Sequence, residues 1–143
     1  MIKKMLVPYN GEEQANAAFN FALDLAKVYG SKLHVLSVIQ LPEPPIEVET
    51  EAILESSTNL YQNLFKELNK RAQKAGVKIS TKVVNGHAED QILNEAEKGG
   101  FDVIVMGHQT RGRLGKWLLG SVTDRVVDHA KCTVIIVKKE HNK

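Results

Sequence analysis

Residues 103–121 constrain the fold more than any other part of the sequence, and they read VIVMGHQTRGRLGKWLLGS. The opening residues, 103–106, are all apolar. A continuous apolar run predicts a strand buried on both faces of a parallel sheet, because a strand with one face in water would alternate apolar and polar residues. The run stops at Gly107. The loop predicted after it holds three more glycines and three cations: Gly112, Gly115, Gly120, Arg111, Arg113 and Lys116.

A helix is predicted after this loop, because apolar residues recur at helical spacing from position 122 onward. They are Val122, Val126, Val127 and Ala130. We expect Ser121 or a neighbouring residue to cap the helix. A strand, a glycine-rich loop and a helix N-terminus together can form an anion site, because the first-turn N–H groups lack intrahelical partners and carry partial positive charge. The hydroxyls of Ser121 and Thr123 would add donors. The sequence leaves a second interpretation open, in which Ser121 is only a cap and the glycines only shape a loop.

The spacing excludes two familiar phosphate-binding motifs. A Walker A loop needs Gly, four residues, then Gly-Lys-Ser/Thr, but here Gly115 and Lys116 are followed by Trp117. A dinucleotide fingerprint needs two glycines separated by one residue directly after the strand, and the loop has no such pair. Solvated loop cations are common, so we interpret Arg113 as exposed, while Arg111 and Lys116 stay open as phosphate ligands.

Apolar runs and their glycine or proline breaks predict five strands that alternate with four helices. The strands are predicted at residues 2–7, 32–39, 77–84, 103–106 and 133–137. A loop is predicted at 41–47, and residues 47–57, the acidic start of the second helix, are expected to be exposed and mobile. Such alternation is the pattern of a parallel sheet covered by helices on both faces.

Apolar stripes identify the faces of the first three helices that should pack on the sheet. In the first helix, which ends at Gly30, the stripe is Ala15, Ala18, Phe19, Ala22, Leu25, Ala26 and Tyr29. In the second, which ends at Gly76, it is Tyr61, Leu64, Phe65, Leu68, Ala72 and Ala75. The third, which stops at Gly99-Gly100, carries Ile92, Leu93 and Ala96.

Length and composition bound the class of protein. A chain of 143 residues is expected to form a single domain, residues 1–143. The net charge of +2 is too small to indicate a nucleic-acid partner. No apolar run approaches the roughly 18 residues of a membrane span, so we expect no membrane association and a cytoplasmic location. The single cysteine, Cys132, is expected to be a small buried apolar residue. The five histidines show no metal-ligand spacing, and no metal site is predicted.

The glycine loop resembles the signature of the universal stress protein family, which is Gly, two residues, Gly, nine residues, then Gly followed by Ser or Thr. Here Gly107, Thr110 and Gly120-Ser121 stand at those positions, with Thr110 replacing the second glycine. Residues 7–11, 85–89 and 134–137 also look like family landmarks, so the resemblance covers nearly all of the chain.

This resemblance implies a five-stranded parallel sheet of order 3-2-1-4-5 with helices on both faces, a Rossmann-like fold of the adenine nucleotide alpha hydrolase type. The switch point then lies between the first and fourth strands, where a ligand binds. In ATP-binding relatives the ligand contacts an aspartate after the first strand, and Asn10 stands there in this chain. We expect the amide oxygen of Asn10 to accept from a ribose hydroxyl, but less strongly than a carboxylate. The implied ligand contacts are Pro8, Tyr9, Asn10, Val38, Met106, Gly107, Gln109, Thr110, Gly120, Ser121, Val122 and Thr123.

The expected function is therefore that of a regulatory stress protein that binds an adenine nucleotide, with ATP, and Mg²⁺ held by its phosphates, as the expected ligand. No catalytic residue is predicted, and any ATPase activity should be slow. A homodimer is expected through strand 133–137, because an apolar edge strand left bare favours aggregation. The alternative is a dimeric interaction module that binds no nucleotide, because Asn10 and Thr110 depart from the family pattern.

Overall fold

The computed structural model describes residues 1–41, 47–108 and 119–138. Within these ranges strands and helices alternate along the chain, as the apolar runs predict. The strands are β1 (Lys4–Pro8), β2 (Lys32–Ile39), β3 (Ile79–Asn85), β4 (Val103–Gly107) and β5 (Thr133–Val137). The helices are α1 (Glu13–Tyr29), α2 (Glu47–Ala75), α3 (Ala88–Gly99) and α4 (Leu119–His129).

The strands form one sheet in the order β3-β2-β1-β4-β5, and every neighbouring pair is parallel. This confirms the fold that the resemblance implied, including the switch point between β1 and β4. A ligand crevice is expected at the carboxyl ends of these two strands, because the chain leaves them in opposite directions there.

Two apolar clusters, one on each face, hold the helices against the sheet. The first joins α1 and α2 to one face and includes Phe19, Phe65 and Leu68. The second joins α3 and α4 to the other face and includes Ile92, Ile104 and Val126. The central strands contribute to both clusters because successive side chains point to opposite faces, which explains their unbroken apolar runs.

The ends of α1 and α2 follow the glycine signals in the sequence. The backbone of Gly30 is left-handed, with φ of 69°, and its N–H donates to the carbonyl of Ala26. Gly76, with φ of 71°, follows α2 in the same conformation. Glycine suits both positions because a Cβ is strained at positive φ.

Several local expectations were wrong. The side chains of Tyr29 and Val127 are exposed, because Tyr29 is the last residue of α1 and Val127 lies about 100° around α4 from the buried Val126. Cys132 is half-buried rather than buried. In the acidic part of α2, Ile53 and Leu54 pack partly against the first cluster, so this part of the helix is not fully exposed.

Three of the strands have boundaries that differ from the expectations by one or two residues. β1 begins at Lys4 instead of residue 2 and includes Pro8, β3 covers Ile79–Asn85 instead of 77–84, and β4 includes Gly107. The predicted loop at 41–47 lies mostly outside the described residues. No helix in the described ranges combines the length and apolar character needed to cross a membrane.

Candidate functional site

The β1–β4 hydrogen-bond ladder stops short of the carboxyl edge of the sheet because Pro8 cannot continue it, and we expect the ligand crevice at this point. Odd-numbered residues of this segment bond to β2: Lys3 accepts from the N–H of Lys32, and Tyr9 donates to Leu36. Even-numbered residues bond to β4, since Lys4 accepts from the N–H of Asp102. Pro8 is even-numbered and has no N–H to donate. Among the described pairs the β1–β4 register accordingly ends at Leu6 and Ile104.

The neighbouring strand pairs continue past this point. β1 stays in register with β2 as far as Pro8 and Leu36. β4 stays with β5 through Gly107, and the N–H of His108 still donates to Val137. The two halves of the sheet are therefore intact on either side of the β1–β4 opening.

The backbone of Tyr9 is fixed at the edge of the crevice. Its N–H donates to the Leu36 carbonyl at 2.8 Å, and its own carbonyl accepts from the buried hydroxyl of Ser37 at 2.6 Å. The Tyr9 side chain is buried, and its hydroxyl donates to Oδ1 of Asn16 at 2.8 Å. The segment after β1 thus presents a preorganised backbone rather than a flexible turn.

Asn10 follows Tyr9 and is buried, with only 1% of its surface exposed. Its Oδ1 accepts from the N–H of Glu12 at 3.0 Å, which closes an Asx turn into α1. Its Nδ2 is buried and has no hydrogen-bond partner among the described residues. Because the Glu12 N–H requires an acceptor, the oxygen assignment is determined and the NH₂ is the group left over. We had expected the Asn10 oxygen to meet a ligand, but that oxygen already holds the turn.

Gly107 forms the β4 side of the crevice and lies directly under the first turn of α1. A Cβ built at Gly107 would lie 2.5 Å from the carbonyl carbon of Gln14 and 2.9 Å from its Cβ. Real Cβ atoms do not approach backbone this closely. The need for glycine here therefore comes from the packing of α1 against β4, and not only from the approach of a ligand.

Helix α4 begins at the same edge of the sheet. It starts at Leu119, so Ser121 is its third residue. We had expected Ser121 or a neighbouring residue to be the cap, and the capping position falls outside the described residues. Ser121 is exposed, and Thr123 is buried with its hydroxyl donating to the Gly107 carbonyl at 3.4 Å. That hydroxyl is thus engaged with the strand. The first turn of α4 therefore lies at the same edge of the sheet as Gly107.

Three other expected contacts have covered side chains. Val38, Met106 and Val122 are all buried and belong to the second apolar cluster. A ligand at these positions would therefore meet mainly backbone. The backbone of Gly120 is part of α4, whereas Gln109, Thr110 and the loop cations Arg111, Arg113 and Lys116 lie outside the described residues.

A polar network supports the α1 side of the site. Oδ1 of Asn16 accepts from Tyr9 and also from Nη2 of Arg71 at 3.2 Å, while Nη1 of Arg71 donates to Asn20 at 3.0 Å. The Arg71 guanidinium also lies 5.6 Å from the centre of the Phe19 ring. The sequence did not reveal this network. The only signals were two polar residues, Asn16 and Asn20, inside the first helix.

The two tyrosines near the site are neutral phenols. Burial raises the pKa of Tyr9, although the nearby Arg71 and the bond to Asn16 partly oppose the shift. Burial, together with Glu12 and Tyr9, raises the pKa of Tyr61 to about 12. Neither hydroxyl can therefore act as a base near neutral pH. In the described part of the chain no group of three His, Cys, Asp or Glu side chains is arranged to hold a metal ion.

The sheet order and the open switch point define a doubly wound α/β protein with its candidate site at the carboxyl edge of the sheet. The sequence model of the universal stress protein family matches residues 1–138, and the chain belongs to this family. Universal stress protein MJ0531 of Methanocaldococcus jannaschii is 33% identical over 142 residues, which are 97% of this chain and 84% of that protein.

Two solved structures are also similar. Hypothetical protein MJ0577 superposes with a TM-score of 0.84 at 28% identity, over 99% of both chains. A universal stress protein in complex with cAMP superposes with a TM-score of 0.68 at 27% identity, over 96% of this chain and 97% of that one.

Proposed function

We propose that this protein binds an adenine nucleotide, with ATP as the principal ligand, in the crevice between the carboxyl ends of β1 and β4. The observation that carries the proposal is the buried Nδ2 of Asn10, which has no partner in the described part of the chain. A buried donor without an acceptor is unfavourable by about 1–3 kcal/mol. A ligand acceptor in the crevice would remove that penalty.

The geometry around Asn10 supports a nucleotide in particular. The ribose and base would lie along the fixed backbone of Pro8, Tyr9 and Asn10. The buried apolar residues Val38, Met106 and Val122 would lie next to them. The phosphates would lie at the N-terminus of α4, close to Gly107, because the partial positive charge of a helix N-terminus favours anions. The similar protein in complex with cAMP supports an adenine ligand on this fold.

Contacts from Gln109, Thr110, Gly120 and Ser121 to the phosphates are part of this proposal, as is Mg²⁺ held mainly by phosphate oxygens. The adjacent tyrosines are neutral phenols and offer no base, so we expect hydrolysis of ATP to be slow. Binding without fast turnover suits a regulatory role in a stress response, and we place that role in the cytoplasm.

The test is a titration of the wild-type protein and of Asn10→Asp with ATP and Mg²⁺. The aspartate keeps an acceptor for the Glu12 N–H but replaces the NH₂ by oxygen, so it isolates the unpartnered donor. We expect Asn10→Asp to bind at least about tenfold more weakly, since one lost hydrogen bond corresponds to roughly 1.4 kcal/mol. Asn69→Asp, an exposed change on α2, is the matched control and should bind as the wild type does.

The outcomes separate two claims. If the wild type binds neither ATP, AMP nor cAMP at millimolar concentration, the proposed function is wrong. If the wild type binds ATP but Asn10→Asp binds it more tightly, the nucleotide donates a hydroxyl at this position and the proposed donor role of Asn10 is wrong.

We also propose that the protein is a homodimer joined along β5. This strand is at the edge of the sheet, and its apolar residues are only half-buried. A groove of about 620 Å³ runs beside it, lined on the α1 side by Phe21, which is 42% exposed. An antiparallel pairing of β5 with its copy would satisfy its backbone groups and cover the groove.

Sedimentation at micromolar concentration tests this interface. Phe21→Asp and the double change Ile135→Lys with Val137→Lys should give monomers, whereas Val28→Asp, at an exposed position of the same helix, should remain dimeric. A monomeric wild type, or dimers for both groove variants, would rule out the interface. A dimer that binds no nucleotide would instead support the alternative function of an interaction module.

A further inference from the structure

We propose that Ser80, His34 and Glu95 form a nucleophile, base and carboxylate set that makes Ser80 reactive toward activated esters. The three residues come from β3, β2 and α3. His34 and Ser80 are register partners on the neighbouring parallel strands, and Glu95 reaches the same imidazole from the helix above. The proposal is independent of nucleotide binding.

The distances are those of a hydrogen-bonded relay. Oγ of Ser80 lies 2.7 Å from Nδ1 of His34, and Nε2 of His34 lies 2.9 Å from Oε2 of Glu95. A nucleophile within hydrogen-bond reach of a base, with the base oriented by a third group, is the arrangement that activates serine in hydrolases.

The protonation pattern follows from the partners. Partial burial alone would raise the pKa of Glu95, but hydrogen bonds from Lys82 and His34, with the charge of Lys82, outweigh it and lower that pKa. Glu95 is therefore a carboxylate and can only accept hydrogen bonds. In neutral His34 the ring hydrogen is then on Nε2, which leaves Nδ1 free to accept the hydroxyl hydrogen of Ser80.

The imidazole is held in place from several sides. The Phe101 ring stacks on it with centroids 5.4 Å apart and planes 17° from parallel. Nζ of Lys82 donates to the second oxygen of Glu95 at 3.1 Å. Ser80, in contrast, is exposed on the edge strand β3, so a substrate can reach its hydroxyl.

The reaction balances with an ester and water. Oγ of Ser80 bonds to the acyl carbon while its proton passes to Nδ1 of His34. The bond to the leaving alcohol then breaks, and that alcohol takes the proton from Nδ1. Water later attacks the acyl-serine with the same base, which releases the acid and restores Ser80. Lys82, two residues along on the same face of β3, provides positive charge near the developing oxyanion.

This site is separate from the nucleotide crevice. Ser80 is the second residue of β3 and His34 the third of β2, so both lie toward the amino ends of their strands. Asn10 and Gly107 lie at the carboxyl ends. The two sites can therefore be tested independently.

Covalent labelling with diisopropyl fluorophosphate tests the proposal on the wild-type protein. Oγ bonds to phosphorus and fluoride leaves with the transferred proton, so the adduct marks an activated serine. Peptide mapping compares Ser80 with Ser56, an exposed serine on α2 whose hydroxyl donates to the carbonyl of Ile53 at 3.4 Å. We expect Ser80 to be labelled about 100-fold faster, the lower end of general-base effects.

His34→Gln should reduce labelling of Ser80 to the rate at Ser56, because glutamine fills similar space but is not a base. Glu95→Gln keeps an acceptor for Nε2 and should lower the Ser80 rate at least about tenfold while leaving Ser56 unchanged. The Ser80-to-Ser56 ratio is insensitive to loss of stability in one variant as long as circular dichroism shows a folded protein. Equal labelling of both serines in the wild type, or an unchanged ratio in His34→Gln, overturns the proposal.

Discussion

Replacing Gly107 by alanine should destabilise the protein because the new methyl group would collide with backbone, not with a movable side chain. The added Cβ would lie 2.5 Å from the carbonyl carbon of Gln14, where van der Waals contact requires about 3.5 Å. No rotamer change relieves this contact, so the first turn of α1 must move away from β4. Overpacking of this kind costs about 1–3 kcal/mol, and a backbone collision belongs at the upper end, near 3 kcal/mol.

For a chain of this size about 3 kcal/mol corresponds to a fall of roughly 9 °C in Tm, measurable by calorimetry and by urea unfolding. Gly76→Ala is the control, because a Cβ there meets nothing within 4 Å and only the positive φ of 71° is strained. That strain should cost about 1 kcal/mol. If Gly107→Ala is no more destabilising than Gly76→Ala, the steric explanation of this signature glycine is wrong.

Two further outcomes follow from the described contacts. Tyr9→Phe removes one hydrogen bond to Asn16 and should lower the free energy of unfolding by about 1 kcal/mol, read from the urea midpoint. The backbone N–H groups of Lys3 and Lys4 hold the pKa of Asp102 below its ordinary 3.8. This carboxylate therefore adds stability above about pH 4, and that stability is lost as pH falls through its lower folded-state pKa. In Asp102→Asn the urea midpoint should therefore fall less steeply with decreasing pH than in the wild type. If the urea midpoint falls as steeply with decreasing pH in Asp102→Asn as in the wild type, the lowered pKa of Asp102 is not a source of this stability.

Much of the fold could be predicted because local signals and long-range packing agree along this chain. Residues 32–39 were predicted as a strand and form β2 with the same bounds, because apolar runs of that length fit a two-sided buried strand. The strand boundaries that were predicted wrongly lie where tertiary packing alone determines whether a residue belongs to a strand. Val77 is apolar and buried, yet it precedes β3, because its N–H donates to the carbonyl of Ala72 and completes the end of α2.

The candidate site was less predictable because its chemistry depends on which partner each polar atom finds. From the sequence, Asn10 was a weaker substitute for an aspartate. In the structure its oxygen accepts from the N–H of Glu12, and its nitrogen is the unpartnered atom. We therefore expect Asn10 to donate a hydrogen bond to the ligand rather than to accept one. Ser37 offered a usable signal, since a polar residue in an apolar strand must find a partner, and it donates to Tyr9.

Pro8 and Gly107 serve one purpose from opposite sides of the switch point. Pro8 withholds the N–H that would continue the β1–β4 ladder, and the described register stops after Leu6 and Ile104. Gly107 lets α1 begin directly over the end of β4, so the turn from Tyr9 to Glu12 must be short and closed by Asn10. A residue with an N–H at position 8 would favour closing the sheet where the crevice now lies. Both residues act through a group that they lack, the N–H of Pro8 and the Cβ of Gly107, and a search of the sequence for polar ligand residues alone would not identify either.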